Sequence, residues 1–169
     1  LPVLQPVSLK DSLFLENLSQ WNASIFVVVA FRMLPRQVWQ MPSHGCLNLH
    51  ASMLPLYRGA APINHAIING ETETGLTTFL IDEQIDTGAI LLQQPIPIAR
   101  TDNAGSLHDT MMTAGAPLVA RTIDGLWQGT LKPVPQPYVA PEELKPAPRL
   151  SRDTCRIDWT CEPGVIVNL

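Results

Sequence analysis

Two nucleotide-binding signatures are missing from these 169 residues: there is no Gly-x-Gly-x-x-Gly and no phosphate loop, so nothing supports nucleotide binding. No Gly-x-Ser-x-Gly elbow is present either, which leaves a serine hydrolase without its nucleophile. Cysteine is scarce. Cys46, Cys155 and Cys161 form no Cys-x-x-Cys pair, and their odd number argues for reduced thiols rather than a disulfide framework. No apolar run reaches the length of a membrane span, and residues 24–30 are only of strand length. The opening Leu-Pro-Val-Leu-Gln-Pro lacks the basic and apolar segments of a secretory signal, so no membrane partner and a cytoplasmic location are expected. It also lacks an initiator Met, which suggests a fragment or a processed chain. His44, His50 and an acid do not show zinc-ligand spacing and have no clear third ligand, so no metal is expected.

Hydrophobic residues make up 46% and the mean hydropathy is +0.10, enough for one domain with a proper core. The net charge of −4 offers no overall basic surplus for a nucleic acid. Residues 1–6 read as an edge strand because of their prolines, and 10–20 as a helix with a partly apolar face. Residues 25–30 are continuous, β-branched and aromatic, which predicts a parallel strand at the sheet's centre. A short helix over 36–40, a strand over 46–51, a helix over 63–69 begun by Pro62 and closed by Gly70, and strands over 74–82 and 89–98 follow. Residues 103–127 carry apolar residues near helical spacing, with a kink expected from Gly115 and Pro117. Residues 131–148 hold Pro133, Pro135, Pro137, Pro141, Pro146 and Pro148, the composition of a semi-rigid extended linker. A new element is expected from 154–159. The domains therefore read as 1–130, a linker over 131–148, and the start of a second domain over 149–169.

Chemistry concentrates in two places. In the 46–51 strand, Asn48 and His50 lie two apart and share a face, setting an amide donor beside an imidazole. Such a pair can bind an oxyanion and move a proton. The strand leads into a turn containing Pro55 and Gly59, and strand ends are where open α/β sheets bind ligands. The loop 82–88 offers a carboxylate in Asp86, ahead of Thr87-Gly88. Taken singly, an Asn-x-His is also an ordinary structural hydrogen-bonding pair, and Asp-Thr-Gly an ordinary turn.

The run Asn48-Leu-His50-Ala-Ser52-Met-Leu54-Pro55-Leu-Tyr57-Arg58-Gly59-Ala-Ala-Pro62-Ile63, then 70–78, then Ile85-Asp86-Thr87-Gly88, resembles the folate-dependent formyltransferases. Within them it is most similar to those acting on methionyl-tRNA. The resemblance covers the whole chain, and it implies a truncated formyltransferase fold. That fold is α/β, with a Rossmann-like, mainly parallel sheet and flanking helices, followed by the proline-rich linker and the start of a small β-barrel domain. It implies 10-formyltetrahydrofolate as co-substrate and initiator methionyl-tRNA as acceptor, with a monomer expected. Asn48 would donate to the tetrahedral oxyanion, and His50, held protonated by Asp86, would add a charged donor. Phe31, Met33, Leu34, Asp82, Gln84 and Ile85 would line the folate site. Ser52, Leu54, Pro55, Arg58 and Gly59 would shape the turn, with Leu54–Pro55 expected to be cis. A sugar-nucleotide N-formyltransferase and a 10-formyltetrahydrofolate hydrolase share the same three residues, and a catalytically silent folate-binding module stands outside the enzymes. Truncation at both ends is expected to expose a strand edge, to remove basic tRNA-binding surface, and to leave the fragment weak or inactive on methionyl-tRNA.

Overall fold

The computed structural model describes residues 2–29 and 33–169. Asp11 caps helix α1 (Ser12–Ser19), its carboxylate accepting from Phe14 N at 2.9 Å. Strand β1 (Phe26–Val28), helix α2 (Arg36–Trp39) and strand β2 (Cys46–His50) follow. Pro62 opens helix α3 (Pro62–Ile68), where its missing N–H costs nothing, and Gly70 closes it at φ 65°. Strands β3 (Glu73–Leu80) and β4 (Ile90–Pro97) lead to helix α4 (Ala104–Trp127), begun by a capping box of Asn103 and Ser106.

The open α/β sheet with flanking helices is present, in the order β1-β2-β3-β4. It is a mixed sheet. Parallel pairing joins β1 to β2, whereas β2–β3 and β3–β4 are antiparallel. The strand–helix–strand order of β2, α3 and β3 therefore does not give a parallel neighbour here. β1 occupies an edge of this sheet rather than the centre expected from its composition; Val27 is 44% and Val29 63% exposed.

The core lies between the sheet and α4. Leu107, Met111, Gly115, Leu118 and Thr122 form the buried stripe of that helix, against Leu76 and Ile96. Gly115 brings the helix close to the sheet, since a Cβ there would come 2.8 Å from Leu49 Cδ2 and the leucine tip would have to shift. Thr122 Oγ1 donates to the Leu118 carbonyl and lies 2.9 Å from Thr78 Oγ1, so two buried hydroxyls tie α4 to β3 without an orphan. Helix α4 runs on through Pro117. Pro117 and Thr113 are on the exposed side, where the Thr113 carbonyl that loses its helical donor meets water.

One expectation at the N-terminal end needs correction. Residues 2–6 form no strand, since Pro2 and Pro6 offer no ladder N–H. The stretch 154–159, where a new element was expected, is turn-like and exposed, with Trp159 77% accessible. A strand needs a neighbour for its backbone groups, and here the N–H groups of Cys155, Arg156 and Cys161 go to nearby carbonyls of their own segment. Helix α5 (Pro163–Val167) follows. The 131–148 segment is largely extended and lies against the domain: Val134 bridges Ile90, and Ala147 is fully buried. No helix among the described residues is long and apolar enough to cross a membrane.

Candidate active site

Alternation in β2 carries Asn48 and His50 to one buried face, at 5% and 6% exposure. Both line a cavity of about 1050 Å³ with Asp86, Phe79, Ile81, Gln84 and Ile85. Among the described residues, the Asn48 side chain has no protein hydrogen-bond partner, and its amide is not among the enclosed unpaired groups. It therefore faces the cavity with its donor available.

His50 is held on both sides. Its Nε2 lies 2.8 Å from the Tyr57 carbonyl, which can only accept, so that nitrogen carries a hydrogen. Nδ1 is turned to Asp86 Oδ2 at 3.7 Å, an ion-pair distance longer than a hydrogen bond. Phe79 packs edge-on against the imidazole, ring centres 6.5 Å apart. Asp86 Oδ2 also accepts from Gly59 N at 2.9 Å, so one carboxylate links the second loop to the turn after β2. Tyr57 (φ 59°), Gly59 (φ 124°) and Asp86 (φ 55°) all lie in the left-handed region. For the two non-glycines this conformation costs on the order of 1 kcal/mol or more, and surrounding bonds must hold it.

Those bonds come from residues on either side. Ser52 is fully buried and its Oγ donates to the Leu56 carbonyl at 2.6 Å. Thr77 Oγ1 donates to the Ser52 carbonyl and accepts from Leu54 N, while Gln93 Nε2 reaches both Thr77 Oγ1 and the Leu54 carbonyl. The Leu54–Pro55 bond is cis. Arg58 donates through Nε and Nη2 to Gln136 Oε1, at 3.2 and 2.6 Å. At Gly59 a Cβ would sit 2.4 Å from the Ala147 carbonyl oxygen, so only glycine admits the returning chain. That chain bonds along the turn: Tyr57 N to the Lys145 carbonyl, Ala147 N to the Arg58 carbonyl, Ala61 N to the Ala147 carbonyl.

Of the residues expected at the folate site, Met33 and Leu34 line the cavity beside Gln84 and Ile85. Asp82 does not line it; its Oδ1 accepts from Gln84 N and Thr87 Oγ1 and so shapes its own loop. Phe31 lies outside the described residues. Tyr57 stands inside the signature run without a role of its own being legible there, and Thr77, Gln93 and Gln136, whose partners are distant in sequence, carry no local signal. Among the described residues no group of three or more His, Cys, Asp or Glu is gathered as if for a metal.

Tyr57 anchors the turn at its far end. Its hydroxyl donates to Glu71, accepts from Asn69 Nδ2, and Lys145 pairs with the same Glu71. Burial, then the bond to Glu71, pushes the phenol up to about 12. Burial alone would raise Glu71, but its bonds to Lys145 and Tyr57 outweigh that and hold it below the usual carboxylate value. The two signs are opposite. A phenol raised on folding stabilises fully below its unfolded value of ~10 and loses that contribution as pH climbs to about 12. A carboxylate lowered on folding stabilises above its unfolded value of ~4.3 and loses that contribution as pH falls through the folded one. Urea midpoints measured from pH ~9 to ~12 should therefore fall, and Tyr57→Phe should flatten that decline; an unchanged slope in the variant would remove Tyr57 as its source.

Residues 2–123 match the formyl transferase family. The methionyl-tRNA formyltransferase of Bacteroides fragilis is 54% identical over 160 residues, covering 94% of this chain and 49% of that protein. The enzyme of the same name from Flavobacterium psychrophilum is 50% identical over 169 residues, covering 100% of this chain and 53% of that protein. The chain thus spans about half the length of the curated relatives it matches. In fold it is similar to HypX from Aquifex aeolicus in complex with tetrahydrofolic acid, with a TM-score of 0.76, 21% identity, and coverage of 91% of this chain and 26% of that one.

Proposed function

The chain belongs to the formyl transferase family, and from that premise we propose that it carries the site that moves the formyl group of 10-formyltetrahydrofolate to the amino group of initiator methionyl-tRNA. The observation that carries this reading is the convergence of Asn48, His50 and Asp86 on one cavity at the end of β2. The cavity suits a folate: about 1050 Å³ is ample for a ligand of that size, and apolar residues such as Met33, Leu34 and Ile85 offer contact for a flat ring. The relatives of similar sequence, about half of each covered, are named as methionyl-tRNA formyltransferases, which favours that acceptor over an amino sugar.

The chemistry asks three things of the chain. The attacking amine forms a C–N bond to the formyl carbon, and the carbonyl electrons move onto oxygen. Asn48, which lines the cavity and whose amide has no partner among the described residues, donates to that oxyanion. The C–N10 bond then breaks, N10 gains a proton and the new amide nitrogen loses one. His50 is the group within the cavity able to manage that exchange, through Nδ1, whose contact with Asp86 is still longer than a hydrogen bond. Asp86 balances the charge of an imidazolium with both nitrogens protonated. No protein nucleophile is needed.

The deciding experiment offers 10-formyltetrahydrofolate and scores three fates of the formyl group: methionyl-tRNA, a dTDP-amino sugar, and water as formate. Formylated methionyl-tRNA is the expected product. Formyl sugar or formate in its place would move the assignment to the sugar enzymes or to the hydrolases. Folate binding with no transfer at all would make the chain a silent binding module.

A further inference from the structure

Between Pro135 and Pro137 a single amide side chain joins the two halves of the site. Gln136 Nε2 donates to the backbone carbonyls of Asp86, at 2.8 Å, and Gly88, at 2.9 Å, while its Oε1 accepts both Arg58 bonds. The orientation of the amide is fixed by chemistry, since a guanidinium only donates and carbonyls only accept. Arg58 lies next to Tyr57, whose carbonyl holds His50, and next to Gly59, whose N–H holds Asp86. Gln136 thus bridges the turn bearing the histidine's support and the loop bearing the carboxylate.

The segment is built to hold that one side chain in place. Pro137 keeps Gln136 out of the helical region, and Pro135 has its own φ locked. Val134, two residues earlier, exchanges both backbone bonds with Ile90 at 2.8 Å. Lys145 and Ala147 then fasten the chain to Tyr57 and Arg58. A plain spacer needs none of these contacts.

We propose that Gln136 is a positioning residue of the formyl-transfer site, setting the distance between Asp86 and His50 from within the proline-rich segment. The inference rests on the reading of Asn48, His50 and Asp86 as the reacting groups. It also makes a claim about geometry that does not depend on the substrate. In Gln136→Met, which keeps the length and removes every hydrogen bond, the Asp86 loop should loosen while the segment itself stays docked.

Amide hydrogen exchange reads this directly. Gly59 N–H, bonded to the Asp86 carboxylate, should exchange about 10-fold faster in Gln136→Met, while Ala147 N–H, bonded to the Arg58 carbonyl, should stay within about 2-fold of the parent chain. Faster exchange at both would mean that Gln136 merely anchors the segment, and no change at Gly59 would mean that it positions nothing; either result overturns the proposal. In the transfer assay, kcat should fall by about 10-fold or more in the variant with KM for folate within about 3-fold. A variant that raises KM alone counts against positioning. Transfer by the parent chain, measured alongside, tests the formyltransferase reading separately: if the parent transfers nothing, that reading fails while the exchange result at Gly59 still decides the role of Gln136.

Discussion

Asn48→Ala should lower formyl transfer by about 100- to 1000-fold while folate affinity changes by no more than about 3-fold. The size follows from the role proposed for the side chain. A donor aimed where charge develops acts on the transition state and not on the bound ground state, so its loss appears in kcat. The cleanness of the experiment follows from the structure. Among the described residues Asn48 has no protein partner, so truncation breaks no network and orphans no buried group. His50 is a less tractable first target, because its removal strips a partner from the Tyr57 carbonyl and leaves Asp86 facing a void. Single-turnover rates with a fixed acceptor, beside folate titration, make the measurement. A rate within about 3-fold of the parent would take Asn48 out of the chemistry.

Gly88→Ala should lower stability by about 3 kcal/mol or more and abolish transfer with it. A Cβ at Gly88 would stand 1.6 Å from the Leu80 carbonyl oxygen, and backbone cannot yield as the tip of a side chain can. Leu80 is the last residue of β3, and its N–H bonds the Ala89 carbonyl just beyond the glycine. The collision therefore opens the neck of the loop that holds Asp86. Moving that neck also withdraws the Gly88 carbonyl from Gln136. Urea denaturation of the two chains gives the stability difference, and a loss under about 1 kcal/mol with transfer intact would show that the loop tolerates displacement.

The strand bearing the site was legible because a period of two fixes which side chains share a face, and Asn48 and His50 obey it. The long helix was legible for the equivalent reason at 3.6 residues, in the stripe from Leu107 to Thr122. What misled was composition where pairing decides. The β-branched run around Val27 reports a liking for burial but not how many neighbours a strand has, and among the described residues β1 pairs with β2 alone. Prolines after residue 132 announce an extended backbone, yet nothing in them says what it lies against. Contacts as distant as Arg58 with Gln136, 78 residues apart, leave no local trace.

That separation has a consequence for biosynthesis. Sheet, helix α4 and the Asn48 face all lie before residue 128, so the body of the domain can condense while later residues are still being added. The carbonyl that supports His50 belongs to Tyr57, whose N–H waits for Lys145, and the Asp86 loop waits for Gln136. A nascent chain would thus own a folded scaffold before the contacts around His50 and Asp86 were complete, and those contacts could close only once the proline-rich segment had left the ribosome.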